Sequence, residues 1–231
     1  MSGRRLGWDK PGRGKRVPKQ ERAERTRTTI LDAAAKVFDA RGFMGASLSD
    51  ILAEAGVTKG ALYFHFASKE ELAHALIDEQ FSVWQPSGDD PGLQTVIDLT
   101  HSMARNLQEN VRVRASIRLV IEQGTFADPS PEPYLQWINV IRAQLDLSQQ
   151  RGDIRKDVTT IDFATFVVGA FSGLQMSSQV LTDRKDLPER VANMWRYVLP
   201  SLVPPRRIGK FTPEGSPRRA QGVTPPKPHR T

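Results

Sequence analysis

The chain contains no cysteine among its 231 residues. Disulfide frameworks, thiolate metal sites and cysteine nucleophiles are therefore excluded, and the absence suits a reducing cytoplasm. Long apolar runs are lacking as well, because the longest nearly apolar stretch, residues 163–176, is shorter than the roughly 18 residues of a membrane helix. The N-terminus is rich in arginine and has no apolar segment of the kind that a secretory signal needs. We therefore expect a soluble, cytoplasmic protein without a membrane partner.

Positive charge is concentrated at the two ends of the chain. Residues 1–30 hold ten Lys and Arg against three Asp and Glu, residues 204–231 hold seven against one, and the body between them holds 16 against 22. A basic arm that leads into a helix is a common way to contact phosphates, since each neutralised phosphate releases condensed counterions. We predict such a flexible arm over residues 1–19, with a solvated tail as the alternative. The segment 204–231, rich in Pro, Gly and Arg, is typical of a disordered basic tail.

The first part of the body has the pattern of a helix-turn-helix. Apolar residues at helical spacing predict a helix over 27–42 that stops at Gly42, and Ser47 is a suitable cap for a second helix, 47–56, that also stops at a glycine. The glycine-containing turn after it leads into a further short helix, which is typical of a helix-turn-helix. We therefore predict a three-helix DNA-binding domain over residues 20–67.

Longer helices are predicted in the rest of the chain, and no segment alternates like a strand. A helix capped by Ser68 follows the first domain. Pro- and Gly-containing breakers, including a turn at residue 188, separate the remaining apolar segments. The predicted helices are 93–109, 111–123, 132–151, 160–181 and 187–202. The fold class is therefore all-α, with a larger C-terminal helical domain over 68–203.

The stretch VTKGALYFHF, residues 57–66, has the composition of a recognition helix, which presents polar groups to base edges and phosphates while its other face packs inward. Lys59 can donate to a guanine edge or a phosphate, Gly60 permits close approach of the backbone, and Tyr63 shares the face of Lys59. Thr58 can cap the helix and meet a phosphate. The predicted DNA-binding residues are Ser47, Thr58, Lys59, Gly60, Tyr63, His65 and Lys69, of which His65 and Lys69 are expected to be phosphate donors.

The apolar side chains of the same stretch are assigned to packing. Leu62, Phe64 and Phe66 are expected to face the core, because large apolar groups left in water are costly. The alternative is that residues 57–66 form an aromatic connector buried under the C-terminal domain. The glycine-ended helices before the stretch and the basic arm favour DNA binding.

The run from Arg27 to Leu72 resembles the DNA-binding domain of the TetR family of one-component repressors. The resemblance is carried by Gly42-Phe43, Ser47-Leu48-x-x-Ile51, Ala55-Gly56-Val57, Lys59-Gly60-x-Leu62-Tyr63-x-His65-Phe66 and Ser68-Lys69-Glu70-x-Leu72. It implies DNA contacts at Thr58, Lys59, Gly60, Tyr63, His65 and Lys69. Phe64 departs from the pattern, since many relatives have a second tyrosine there.

A narrower resemblance is to the γ-butyrolactone-receptor branch of antibiotic-producing actinomycetes. It is carried by TKGALYFHFASKEELAHALI together with PYLQW (133–137) and AFSGLQ (170–175). It implies that Trp137 lines a pocket for a small lactone, butenolide or furan. Such a pocket has an apolar wall with a few polar groups that orient the ligand. The predicted ligand-binding residues are Phe81, Trp84, Met103, Leu107, Val120, Gln123, Tyr134, Trp137, Phe171, Gln175 and Ser178. From the residues alone, each of these is more often a core residue than a ligand contact.

The last two predicted helices have faces that suit a dimer. Helix 160–181 is apolar nearly all round, and helix 187–202 carries a broad apolar stripe. The family resemblance implies that these helices form a four-helix interface in a homodimer; the alternative is that they close the core of the monomer. In a dimer, two recognition helices about 34 Å apart would read half-sites one helical turn apart.

The sequence offers less support for two other functions. A helical enzyme is not supported, because the four histidines form no HExxH array and no GxSxG, Walker or dinucleotide motif is present. A multidrug-sensing repressor of an efflux gene would favour a pocket with several carboxylates, whereas Glu122 is the main acid near the predicted one. We predict a repressor without a cofactor or metal that binds a pseudo-palindromic operator as a dimer, responds to a small signalling molecule and controls antibiotic biosynthesis. A helix over 68–84 is expected to act as a lever that couples the ligand-binding site to the DNA-binding site.

Overall fold

The structure, a computed structural model, describes residues 19–83 and 91–216, with side chains for 20–79 and 91–216. Within these ranges the chain is helical and contains no strand, which confirms the all-α prediction. No helix in the described part has both the length and the apolar content to cross a membrane. The helices are α1 Lys19–Gly45, α2 Leu48–Ala55, α3 Lys59–His65, α4 Lys69–Val83, α5 Leu93–Glu109, α6 Val111–Glu122, α7 Glu132–Gln150, α8 Thr160–Thr182 and α9 Leu187–Leu202.

The N-terminal domain consists of α1 to α3. Gly42 has φ 68° and ends the regular part of α1. Ser47 and Asp50 cap α2 reciprocally, since the Asp50 N–H donates to Ser47 Oγ and the Ser47 N–H donates to Asp50 Oδ2, both at 3.1 Å. Gly56, with φ 62°, adopts the left-handed conformation that closes α2. The predicted ends of the first two helices at Gly42 and Gly56 are thus confirmed, whereas α1 begins at Lys19 and not at the predicted residue 27. The core of the domain includes the fully buried Ile30, Leu31, Phe38, Ile51 and Leu62.

The C-terminal domain consists of α5 to α9, with α5 near its centre. Trp195 of α9 is fully buried, and its Nε1 donates to Thr100 Oγ1 of α5 at 2.9 Å. α8 packs between α7 and α9. The predicted bounds of these helices agree with the structure to within one residue. Pro188, predicted in a turn, instead lies in the first turn of α9, where its missing N–H leaves no hydrogen bond unmade.

Residues 204–216, which we call the C-terminal strap, pack on the C-terminal domain. The predicted disorder of the tail is therefore wrong for this part. A 3-10 helix, Pro205–Lys210, begins the strap. Further on, His101 Nε2 on α5 lies 2.7 Å from the Pro213 carbonyl oxygen. Composition could not predict this contact, because the two residues are 112 positions apart in the chain.

The predicted N-terminal arm, apart from Lys19, lies outside the described residues, as does the rest of the predicted tail, residues 217–231. Their roles stay predictions.

Candidate DNA-binding and ligand-binding sites

The polar end of α3 is open to a partner. Thr58 caps the helix, because its Oγ1 accepts a hydrogen bond from the Ala61 N–H at 3.2 Å. Thr58, Lys59 and Gly60 are exposed, and among the described residues nothing beyond the chain neighbours and the backbone of α3 itself lies within 4 Å of the position that a Cβ at Gly60 would take. A phosphate or base edge could therefore approach this backbone closely.

Lys59 and Tyr63 form one exposed face of α3. The Lys59 Nζ lies 5.7 Å from the centre of the Tyr63 ring, and the tyrosine side chain is 46% exposed. The packing face is opposite, where Leu62 and Phe66 are buried, as predicted. Since α3 is short, these two anchors hold its orientation against the domain.

Phe64 differs from its predicted packing role, because its side chain is 76% exposed. Residue 64 follows Leu62 by two positions, which is about 200° around a helix, so the two cannot face the same core. The Phe64 ring instead stands edge-on to the partly buried His65 ring, with centroids 4.9 Å apart. The exposed surface of α3 is therefore more aromatic than predicted.

Lys69 makes contacts within the protein that the sequence did not predict, and its contact with a phosphate stays a prediction. Its Nζ donates to the carbonyl oxygens of Phe43 and Ala46, both at 2.9 Å, and lies 4.1 Å from the centre of the Phe43 ring. The ammonium group therefore holds the turn between α1 and α2. Ser47, at the exposed start of α2, is engaged in its cap, and its contact with DNA stays a prediction.

An apolar pocket lies inside the C-terminal domain, between α5, α6, α7 and α8. Its free volume is about 30 Å³, room for about two water molecules, so a ligand must displace its walls to enter. Polar groups at its wall include Thr100, Ser172 and Gln175, and no carboxylate lines it among the described residues. The predicted ligand-binding residues that line it are Met103, Val120, Tyr134, Trp137, Phe171 and Gln175.

Other predicted ligand residues lie elsewhere. Leu107 is buried and lines a second cavity, described below. The Gln123 side chain is used in a loop, where its Oε1 accepts from the Ser130 N–H at 3.2 Å. Ser178 donates through Oγ to Asp186 Oδ1 at 2.6 Å and so closes the end of α8. The side chain of Phe81 and all of Trp84 lie outside the described residues.

Sequence reasoning missed part of the pocket wall on α6. Ile117 and Ile121 line the pocket together with Val120, and their spacing of three and four residues is the signal that could have found them. Ile141 on α7 and Val167 and Val168 on α8 were also missed. They looked like ordinary core residues, because a pocket wall and a core have the same composition.

A polar cleft of about 760 Å³ lies beside the apolar pocket. It is bounded by α1, by α6 and by the turn after α8. Ile117, Ile121 and Gln175 line both cavities, so the two share a wall. The sequence offered no signal for this cleft, because its walls come from parts of the chain that are far apart.

The two domains meet where α6 contacts α1. Glu122 accepts the Phe43 N–H at 2.8 Å through Oε2 and the Arg118 Nε at 2.7 Å through Oε1. Arg114 Nε donates to Asp39 Oδ2 at 2.8 Å. Helix α6, which lines the pocket, therefore also holds the backbone just after Gly42, where the helix-turn-helix begins.

α6 also reaches α4. Arg112 Nε donates to Asp32 Oδ1 on α1 at 2.6 Å, and its Nη1 donates to Glu79 Oε2 on α4 at 2.7 Å. The carboxylates raise the pKa of Arg112 against the opposing effect of burial, so its positive charge is secured at this junction. One side chain thus joins the predicted lever helix, the pocket helix and the first helix of the reading domain.

A small domain with an exposed recognition helix, joined to a helical domain with an apolar pocket, defines the class of ligand-sensing DNA-binding regulators. Residues 30–76 match the family described as "Bacterial regulatory proteins, tetR family", and residues 91–204 match the "Tetracyclin repressor-like, C-terminal domain". The chain belongs to the TetR family. It is a TetR-type DNA-binding repressor, so the prediction that it is not an enzyme is confirmed.

The relatives extend the narrower resemblance. The A-factor receptor protein of Streptomyces griseus is 43% identical over 86% of this chain and 71% of its own length. The structure of CprB from Streptomyces coelicolor in complex with its operator superposes with a TM-score of 0.73, at 33% identity over 87% of this chain and 100% of that one. A structure of a gamma-butyrolactone receptor described as ArpA-like superposes with a TM-score of 0.72, at 33% identity and the same coverage. This chain is therefore related to the γ-butyrolactone receptors, as predicted.

Proposed function

We propose that this protein represses transcription from a pseudo-palindromic operator, which it binds as a homodimer, and that a small lactone, butenolide or furan releases it. The proposed targets are genes of antibiotic biosynthesis, and the proposed place of action is the cytoplasm. The observation that carries the proposal is the apolar pocket with Trp137 and Gln175 in its wall, formed in part by the same helix that holds α1. The kinship with the A-factor receptor supports the class of signal.

The pocket suits such a signal better than a cationic drug. A small lactone or furan has an apolar skeleton and one or two oxygen acceptors, which an apolar wall and a buried amide match. A cation would need a carboxylate in the wall to offset the cost of leaving water. Among the described residues, Asp39, Glu122 and Asp183 are the acids of the neighbouring cleft, and none of them lines the pocket.

The proposed mechanism is a population shift. Because the free pocket holds about 30 Å³, a ligand binds better to a conformation in which α6 has moved away from α7 and α8. Movement of α6 would displace Phe43 through Glu122, and α4 through Arg112. The two recognition helices would then lose the spacing that matches the operator. A coupling of about 1–3 kcal/mol would lower operator affinity roughly 5- to 150-fold.

The dimer is proposed to form through α8 and α9. A shallow apolar groove between them is lined by Gly169, Gly173, Leu174, Met194 and Val198, and small residues there would let a partner helix approach closely. Val180 and Leu181 near the end of α8 are exposed, as is Tyr197 on α9. Exposed apolar side chains grouped in this way are typical of a protein interface.

A mobility-shift assay on the DNA upstream of the protein's own gene tests the proposal. The duplex should be shifted by the protein alone and released when an organic extract of the producing culture is added. A matched duplex with one half-site scrambled is the control for specificity. A shift that persists at every extract concentration would contradict release by a signal, and an equal shift of the scrambled duplex would contradict specific binding to a two-half-site operator.

A further inference from the structure

Phe64 is an aromatic side chain of α3 that the protein leaves in water. Its side chain is 76% exposed, compared with 46% for Tyr63 on the same helix. Single exposed apolar side chains are common on protein surfaces, so the position of Phe64 matters more than its exposure. Its ring adjoins the face with Lys59 and Tyr63, which belongs to the proposed recognition helix. Phe64 therefore lies where a DNA partner is proposed to bind.

The outermost face of α3 carries Phe64, opposite the residue that anchors the helix to its domain. Leu62 is that anchor, since it is fully buried. At about 100° per residue, Gly60 and Phe64 both lie within about 20° of the direction that points away from Leu62, and Lys59 and Tyr63 lie to one side of it. A helix in the major groove turns its outermost face to the base edges, whereas its sides lie nearer the sugar–phosphate backbones. Phe64 is therefore better placed for a base edge than for a phosphate.

The Phe64 ring has a neighbour on one side and open space towards the start of the helix. The partly buried His65 ring stands against it, with centroids 4.9 Å apart and 86° between the ring planes, so the two rings support each other. One turn earlier, Gly60 has no side chain, and among the described residues only its chain neighbours and the helix backbone come within 4 Å of the place of a Cβ there. A group on a base edge can therefore reach the ring without meeting another side chain at Gly60.

The chemistry of the ring selects one group of the major groove. A phenyl ring has no hydrogen-bond donor or acceptor of the kind that reads the nitrogen and oxygen atoms of base edges. The C5-methyl of thymine is the apolar group that the base pairs present in this groove. Contact between the ring and the methyl removes apolar surface of both from water, which is expected to raise affinity about fourfold for each methyl-sized group. Phe64 therefore suits a thymine and gains nothing comparable from the other three bases.

We propose that Phe64 determines part of the sequence specificity of this protein by contacting the methyl group of a thymine in each half-site of the operator. The proposal rests on the proposed function, because it assigns one base preference within the operator that the dimer is proposed to bind. It separates the roles on α3: Lys59 and Tyr63 supply polar contacts, and Phe64 supplies an apolar one.

Deoxyuridine tests this assignment, because it pairs as thymidine does and lacks only the methyl group. The DNA upstream of the protein's own gene is prepared as two duplexes, one with thymidine and one with deoxyuridine at every such position. Fluorescence anisotropy then measures the affinity of the full chain and of its Phe64→Ala variant for each duplex. On the thymidine duplex the variant should bind roughly 15-fold more weakly, because a dimer would lose two contacts of about fourfold each. On the deoxyuridine duplex the two proteins should bind within about twofold of each other, since changes in DNA shape and in other methyl contacts affect both alike.

Two controls separate methyl recognition from other effects. Leu135→Ala removes an exposed apolar side chain from α7 and should match the wild type on both duplexes. The thermal midpoint of Phe64→Ala should stay close to wild type, because the ring is mostly exposed. Full affinity of Phe64→Ala for the thymidine duplex would overturn the proposal. An equal loss on both duplexes would also overturn it, since the ring would then contact a part of DNA other than the methyl group.

Addition of the culture extract to the same samples distinguishes failure of this proposal from failure of the proposed function. If the extract releases the wild type and Phe64→Ala binds the thymidine duplex with full affinity, the assignment of Phe64 is wrong and the proposed function stands. If the methyl preference depends on Phe64 and the extract never releases the operator, the assignment is supported and the proposed release is wrong. Equal binding of the wild type to a duplex with one half-site scrambled would overturn both.

Discussion

At the scale of single residues, Lys59 and Tyr63 are exposed on one face of α3, and we propose that they contact DNA. Replacing Tyr63 with Ala should lower affinity for the operator by about 1–3 kcal/mol, the loss of one good groove or phosphate contact. Stability should change little, because the ring is already 46% exposed. Fluorescence anisotropy of a labelled operator measures the loss.

A control for that substitution is Leu135→Ala on α7, which removes a side chain of equal exposure from the other domain. It should leave operator affinity unchanged. Full affinity in the Lys59→Ala, Tyr63→Ala double variant would mean that α3 is not the recognition helix.

Asp186 holds the turn after α8, so protonation of its carboxylate in acid should lower the stability of the protein. Hydrogen bonds from the Ser178 hydroxyl, and then from Thr182 and Arg190, lower the pKa of Asp186 from 3.8 to about 2. A carboxylate with a lowered pKa contributes stability that is present above its ordinary pKa and is lost as pH falls through the lowered value. Asp186→Asn should therefore be less stable than wild type at about pH 6. The difference between their free energies of unfolding should disappear towards about pH 2.

Thermal or denaturant unfolding of the two proteins across that pH range measures the gap. A difference between wild type and Asp186→Asn that stays constant with pH would show that the carboxylate charge contributes nothing to the turn.

The differences between the sequence-based assignments and the structure at this scale have a common origin. Phe64 was assigned to the core by its apolarity, although its angular position about α3 opposes Leu62. Lys69 is predicted to donate to a phosphate because of its charge, and the fold adds two backbone carbonyls as partners that the charge alone does not indicate. Residue type predicts what a side chain can do, whereas the choice among its possible partners depends on neighbours that only the fold brings together.

At the scale of elements, α6 is the helix that joins the two sites. Replacing Glu122 with Gln removes the charge that holds Arg118 and leaves one amide oxygen for two donors. The variant should bind the operator, but a bound signal should lower its operator affinity less than in wild type, by about 0.5–2 kcal/mol of coupling. Anisotropy titrations with and without the signal measure the coupling.

The matched control is Glu132→Gln at the start of α7, which makes the same chemical change at an exposed position. It should retain full coupling. If Glu122→Gln keeps the coupling of wild type, the connection between the ligand-binding site and the N-terminal domain runs through α4 alone. This is the lever helix that the sequence predicts over 68–84.

Helices were the part of the fold that the sequence predicted best. Capping residues such as Ser47 and helix-ending glycines such as Gly42 act locally, so they can be read from a few neighbouring residues. The polar cleft could not be predicted, because Asp39, Arg114 and Arg184 come from three distant segments. The strap was missed for the same reason, since the partner of Pro213 is on α5 and the strap itself has the composition of a disordered tail.

At the scale of the whole molecule, the C-terminal strap is expected to stabilise the domain that carries the pocket. Burial lowers the pKa of His101 in spite of its contact with the Pro213 carbonyl, so the ring stays neutral under the strap near neutral pH. Truncation after Val203 should expose α5 and lower the thermal midpoint, by about 2–4 °C for each kcal/mol lost.

Truncation after Ser216 is the control, because it keeps every described contact of the strap. It should unfold at the temperature of the full chain. Equal midpoints for all three proteins would show that the strap contributes no stability.

The central claim for the whole molecule is that a ligand beside Trp137 releases the operator from α3. Trp137 is buried, so its removal to Ala would cost about 3–5 kcal/mol and confuse unfolding with loss of response. Trp137→Phe keeps an aromatic core residue and changes the pocket wall. The decisive measurement is operator affinity of wild type and Trp137→Phe across a titration of the purified signal. The account predicts equal affinity without the signal and a release curve shifted to at least about tenfold higher signal concentration in the variant. A folded variant that is released as readily as wild type would contradict it.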